Sequence, residues 1–329
     1  MPLAGGIHRR LLPVLVLLVA AAALWIGPVA VTPADLLDDP VARTILFELR
    51  LPRVLGGLAI GCALGAAGAM LQALLRNPLA DPALIGVSGG AALGAAGTLA
   101  LLGSGALASV LSVPLAAFLG AIGAAALVWR LGAVNGRLDL SAVLLAGIAV
   151  NTLAGSLVGL LLAFGDDATL RTTSFWLFGS LTRIDWLQLA PLALVLPGVI
   201  LLMERRGRDL DLYQLGDREA AHAGLAVRRL QWTGLAAGAL LTGLAVAMAG
   251  IVGFVGLMVP HLVRFLSGPS HSGRIRDSAL AGGLLVLVAD AGARTLAMPA
   301  EIPLGLITAL LGAPFFLWLL RRELGRHRT

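Results

Sequence analysis

The chain of 329 residues contains no lysine; all 24 of its Lys-or-Arg positions are arginine. A Walker A loop, GxxxxGKS or GxxxxGKT, needs its lysine on the nucleotide phosphates. That absence excludes a normal P-loop, so any ATP used with this protein is hydrolysed by another polypeptide. Cysteine occurs once, as Cys62, which excludes an intrachain disulfide. It sits in an apolar, glycine-rich stretch and reads as a small packing residue. Charge is scarce too: 13% of residues are charged and 58% hydrophobic, with mean hydropathy +0.93. Soluble domains carry about 25% charged residues. These values predict instead a polytopic membrane protein, a single bundle over residues 1–329.

What is present is organised around residues 48–94, ELRLPRVLGGLAIGCALGAAGAMLQALLRNPLADPALIGVSGGAALG. Arg50 and Arg53 stand a helical turn apart at its start. Gly57, Gly61 and Gly65 recur at every fourth position, and so do Gly86, Gly90 and Gly94. This spacing puts a small-residue stripe on one helix face, which lets membrane helices pack closely through van der Waals contact. Between the stripes, RNPLADP holds two prolines and cannot be continuous helix. The stretch predicts two membrane helices joined by a tight polar turn.

Apolar runs near the ~20 residues that span a bilayer fall at 11–31, 50–75, 83–102, 107–130, 140–164, 186–203, 230–249, 252–267, 278–297 and 304–322. The first exceeds the ~7–15 apolar residues of a signal peptide. Ten spans put both termini on one side. With the N terminus inside, 18 arginines lie in inner segments and six in outer ones: Arg43, Arg50, Arg53, Arg171, Arg183 and Arg294. This obeys the positive-inside rule. The net charge of +6 is therefore mostly a topology signal and gives no reason to invoke nucleic acid. The outer arginines run against the bias. They pair with outer carboxylates such as Asp38, Asp39, Glu48 and Asp185, or they serve a function. Asp290 lies in an apolar run, where a carboxylate costs about 2.5–3.5 kcal/mol on insertion scales. Arg294, one turn later, is its expected partner.

RLPR, the Gly-Ala repeats, LQ, NPLADP and GVSGGAALG together resemble the permease subunit of type II ABC importers for iron complexes, haem and vitamin B12. AGIVGFVGLMVPHLVR at 249–264 and EIPLGLITALLGAPFF at 301–316 match the same family. The likeness covers nearly the whole chain in the expected order. It implies an all-α polytopic membrane protein of ten transmembrane helices, a vitamin B12 permease-like bundle. It also implies a homodimer in the bacterial inner membrane with both termini cytoplasmic. Two cytoplasmic ATPase subunits, carrying ATP-Mg, would dock inside and one periplasmic substrate-binding protein outside. No catalytic residue, cofactor or metal is implied for this chain. Arg50, Arg53 and Arg294 match positions that bind glutamates on the binding protein. The loop 204–229 carries Asp217, Arg218, Glu219, Ala220, Ala221, His222, Gly224 and Leu225, which match the family's GxxxAxxxGL-type coupling helix. Asn77 and Leu79 after helix two, and Leu140 and Ser141 opening helix five, match positions that narrow the pathway near its inner end.

Without the resemblance, 204–229 reads as a solvated charged loop with Asp217 capping a short helix, and Ser141 as a helix N-cap. His222, His261 and His271 read as structural. The outer segment FGDDATLRTTSFWLFGSLTRIDW, 164–186, offers Phe175, Trp176 and Phe178 as an interfacial aromatic belt, or as lining of the outer mouth. Its SFWLFGSL looks most like haem-type permeases. Outward segments hold no His, Cys or Met cluster of metal-ligand type. The expected cargo is thus a chelate or ring system moving through an apolar channel by alternating access: haem first, with ferric siderophore or vitamin B12 as alternatives. An ion-coupled secondary transporter would want more mid-membrane carboxylates than Asp290. A receptor or structural membrane protein would not need the coupling pattern.

Overall fold

The computed structural model describes residues 7–102, 112–134, 137–268 and 270–326. Within them, ten helices of 13 residues or more form one bundle. They are α1 (Ile7–Trp25), α2 (Leu51–Leu74), α3 (Val87–Leu102), α4 (Ser112–Gly132), α5 (Leu140–Phe164), α6 (Trp186–Arg205), α7 (Val227–Ala249), α8 (Val255–Ser267), α9 (Arg274–Thr295) and α10 (Leu304–Arg326). One helix falls in each apolar run; the start of the fourth run, 107–111, lies outside the described residues. Six are long and apolar enough to cross a membrane by length and composition, α2 being counted from Pro40; the other four, α1, α3, α8 and α10, have shorter apolar stretches, Arg10–Trp25, Val87–Leu102, Val255–Ser267 and Leu304–Leu319.

The bundle is built around α2, most of whose side chains are buried. It packs along α9, with α7 and α8 also against it, while α3 packs on α4 and α5. The glycine stripes explain how. A Cβ on Gly61 would run into the Gly282 carbonyl, and one on Gly65 into the Ser278 carbonyl. The α2 and α9 backbones therefore touch directly. Gly90 and Gly94 meet Gly120 and Ala116 of α4 in the same way. Cys62 is buried at this seam beside Gly283, as a small packing residue.

Several boundaries differ from the sequence expectation. The first helix ends at Trp25 instead of residue 31, just ahead of Gly27 and Pro28. The second is reached by helix Pro40–Thr44, capped by Asp39, which accepts from the Val41 N–H at 2.8 Å, and by a π-helical turn, Ile45–Arg50. Ser141 does not cap α5. Asp139 does, accepting from the N–H groups of Ser141 (2.9 Å) and Ala142 (3.1 Å), because an N-cap acceptor must precede the first helical residue. The segment 164–186 contains a helix, Asp167–Leu177, capped by Asp166. Helix α8 begins after Phe254, whose φ of 66° breaks the helical run.

The helix ends sort into two groups. One joins the end of α1, the start of α2, the end of α9, the start of α10 and residues 178–185. The other joins the end of α2, the end of α6, residues 207–217 and the start of α9. These match the segments that the arginine distribution places outside and inside, and are called the outer and inner ends below.

Candidate functional site

At the outer end, Arg50, Arg53 and Arg294 converge on one network. Arg53 Nε and Nη2 donate to Asp290 Oδ1 at 3.1 and 2.8 Å. Its Nη1 and Nη2 donate to the two Glu301 oxygens at 3.1 and 3.0 Å, a parallel fork. Asp290 also pairs with Arg294 Nε at 3.0 Å, as the sequence spacing predicts, so one buried carboxylate ties α2 to α9. The remaining guanidinium nitrogens turn to α1. Arg294 Nη1 donates to the Ile26 carbonyl at 2.7 Å and Nη2 to that of Ala23 at 3.3 Å. Arg50 Nη1 donates to the Leu24 carbonyl at 3.0 Å, and Nη2 to that of Val29. A helix C terminus leaves carbonyls unpaired and partially negative, so two arginines cap the end of α1. Gly27 makes room: a Cβ there would lie 2.9 Å from Arg50 Nη2.

This changes how the three outer arginines are read. Arg50 and Arg294 are 6% and 3% exposed, and only Arg53, beside Glu301, reaches the rim. Arg294 has its expected partner in Asp290, but Arg50 and Arg53 do not use the nearby acids expected from sequence; Asp39 and Asp185 cap helices instead. Glu301 escaped sequence reasoning. Its one signal was an outer carboxylate inside the EIPLG motif. Burial alone would raise the Glu301 carboxyl, but the Arg53 fork outweighs it and holds it below the usual glutamate range. A lowered folded-state value contributes stability above the unfolded pKa and loses it as pH falls through the folded one. The Glu301 tie is therefore complete at neutral pH. Elsewhere on this end, Phe175 and Phe178 are exposed, and with Leu170, Arg171 and Ser174 they line a shallow cavity of about 290 Å³.

At the inner end, helix Gly207–Tyr213 leads into helix Asp217–His222, bounded by Gly216 and Gly224 with φ of 122° and 87°. Asp217 does not cap this helix; Gly216 occupies that position, and the Asp217 carboxylate pairs with Arg76 at 2.5 Å. Ala220 is buried and Leu225 partly so, which fastens the segment. Asp217, Arg218, Glu219, Ala221, His222 and Gly224 are exposed. Asn77 Oδ1 accepts from the Leu79 N–H at 2.9 Å, closing the turn after α2. Asn77 also lines an inner cavity of about 1040 Å³, together with Gln72, Arg76, Gln214 and Arg264. Leu79, Leu140 and Ser141 are not part of its lining.

Of the inner histidines His222, His261 and His271, the last two are held by neighbours, whereas His222 is exposed. His261 stacks edge-on against Phe265, with ring centroids 4.8 Å apart. His271 Nδ1 lies 2.7 Å from Asp211 Oδ1. Burial, then the nearby Arg274, lowers the His271 pKa despite that carboxylate. Glu204 closes α6 and accepts from the N–H groups of Gly273 (2.6 Å) and Arg276 (3.2 Å) at the start of α9. Among the described residues, His, Cys, Asp and Glu side chains gather in no group of three that could hold a metal.

The sequence model of the FecCD transport family matches residues 14–322. The chain belongs to the FecCD transport family. This FecCD permease is 44% identical over 281 residues to the hemin transport system permease protein HmuU of Yersinia pestis, covering 85% of this chain and 84% of that one. It is 39% identical over 312 residues to the vitamin B12 import system permease protein BtuC of Vibrio cholerae, covering 95% and 91%. Its fold superposes with TM-score 0.86 and 31% identity on a metal-chelate type ABC transporter in an inward-facing conformation, covering 95% of this chain and 98% of that one. The all-α permease bundle expected from sequence is thus the fold of this FecCD protein.

Proposed function

We propose that this permease imports an iron chelate, with haem as its first cargo, from periplasm to cytoplasm by alternating access. The family match over residues 14–322 carries the class, and the 44% identity to a hemin permease carries the choice of haem. Ferric siderophore or vitamin B12 import by the same mechanism is the alternative, and the 39% identical vitamin B12 permease supports the second of these. In the working complex two copies pair in the bacterial inner membrane with both termini in the cytoplasm. Two ATPase subunits, holding ATP-Mg, seat on the inner end, and one periplasmic binding protein docks on the outer end.

In this reading, docking falls on Arg53, while Arg50 and Arg294 hold α1 and Asp290 so that Arg53 stays at the rim. An acidic side chain of the binding protein would take the fork that Glu301 occupies in the undocked chain. Glu301→Gln should then tighten docking by about tenfold, since a larger fraction of the chain is binding-competent, and Arg53→Glu should abolish it. Titration of the binding protein onto permease in nanodiscs measures both. Arg53→Glu docking as tightly as the parent would remove Arg53 from the interface.

Asp217, Arg218, Glu219, Ala220, Ala221, His222, Gly224 and Leu225 would carry the ATP-driven motion into the bundle. Asn77, Leu79, Leu140 and Ser141 would narrow the pathway near its inner end. The deciding experiment reconstitutes the permease with its ATPase and binding protein in liposomes and follows uptake of haemin, a ferric siderophore and cobalamin. Uptake of haemin alone supports the cargo. Uptake of another chelate keeps the class and replaces the cargo. Uptake without the ATPase overturns the class. Deletion of 217–225 should leave the ATPase uncoupled from uptake.

A further inference from the structure

We infer that Arg76 is the residue through which movement of the 207–225 segment reaches the inner end of α2. The inference rests on the reading of that segment as the ATPase contact. Arg76 follows the cap of α2 and adopts a left-handed backbone, φ 49°, uncommon for a residue with a side chain. The chain turns there into Asn77 and Pro78. The guanidinium grips the coupling segment in three ways. Its Nε and Nη2 donate to the Tyr213 carbonyl at 3.1 and 2.6 Å. Nη2 pairs with Asp217 at 2.5 Å. Its central carbon lies 3.9 Å from the centroid of the Tyr213 ring, in cation–π contact.

Both ends of this grip are anchored. Tyr213 is fully buried, and its hydroxyl accepts from Gln231 Nε2 of α7 at 3.1 Å. Gln214 Nε2 donates to the Ala73 carbonyl in the last turn of α2 at 2.9 Å. One turn before Arg76, Gln72 Nε2 donates to the Leu257 carbonyl of α8 at 3.0 Å. A displacement of the 217–222 helix therefore reaches α2 by two direct connections, the neutral Gln214–Ala73 bond and the charged, three-point grip of Arg76, and the turn after α2 carries Asn77 at the wall of the inner cavity. A lysine in this place keeps the charge on Asp217 but loses the planar fork and the stacking. Arg76 is thus a positioning residue for coupling.

The test uses the full complex of permease, ATPase and binding protein in nanodiscs. It reads ATP hydrolysis with and without the binding protein, so it needs no cargo. Arg76→Gly suits the left-handed backbone and keeps the fold, while removing all three contacts. It should assemble normally and keep basal hydrolysis, yet lose about tenfold of the stimulation by the binding protein, the size of a typical coupling free energy. Arg76→Lys should recover less than half of that stimulation. Full stimulation in Arg76→Gly overturns the inference, and so does a loss of stimulation that only parallels a loss of assembly. If deleting 217–225 also leaves stimulation intact, the coupling reading itself fails. If the deletion abolishes stimulation while Arg76→Gly retains it, only the role of Arg76 falls.

Discussion

Gly61→Leu removes the folded bundle. At this position α2 and α9 meet backbone to backbone, and even a Cβ would strike the Gly282 carbonyl, with the Gly283 Cα 2.7 Å away. These are main-chain atoms on a buried helix, so no side chain can rotate aside. Overpacking a close-packed site costs about 1–3 kcal/mol when neighbours can shift, and here the shift must separate two helices along their length. The expected outcome is a loss of more than about 3 kcal/mol, at the far end of the range for single substitutions. It would be seen as a collapse in detergent-extracted yield and thermal midpoint. Gly97→Ala is the control. A Cβ on Gly97 of α3 meets nothing within 4 Å, and alanine is the better helix former by about 0.5–1 kcal/mol. It should be neutral or stabilising. A normal melting point for Gly61→Leu would show that the two helices do not pack as described.

Asp290→Ala carries the second large effect. The carboxylate is 2% exposed and serves both Arg53 and Arg294. Removing it leaves two guanidiniums in a site with too few acceptors, and breaking a buried ion pair from one side costs about 3–5 kcal/mol. Asp290→Asn keeps one acceptor oxygen, enough for one of the two arginines, and turns an amide NH2 toward the other, so it should recover only part of the loss. The end of α1 should loosen with it, because Arg294 divides its guanidinium between Asp290 and the carbonyls of Ala23 and Ile26. Limited proteolysis between residues 26 and 50 should therefore quicken in Asp290→Ala. An unchanged melting point together with unchanged cleavage would contradict the network.

Sequence alone determined the membrane class, the number of long helices and the surfaces that pack them. Hydrophobic run length and glycine spacing are local properties, and a bilayer leaves the chain few alternatives to helices. The absence of lysine settled as firmly that no ordinary ATP-binding loop lies in this chain. The tertiary structure decided what the charged residues do. Arg50, Arg53 and Arg294 stand out in the sequence as outer arginines against the topological bias, but their division of labour does not. Two of them cap α1 and one meets the rim, because Asp290 and Glu301 reach Arg53 from 237 and 248 residues away. The grip of Arg76 on Tyr213 and Asp217, across 137 and 141 residues, was equally out of sight. Pattern reading sees neighbours a turn apart, whereas a guanidinium chooses its partners by what the folded helices bring within about 3 Å. That choice belongs to the packing.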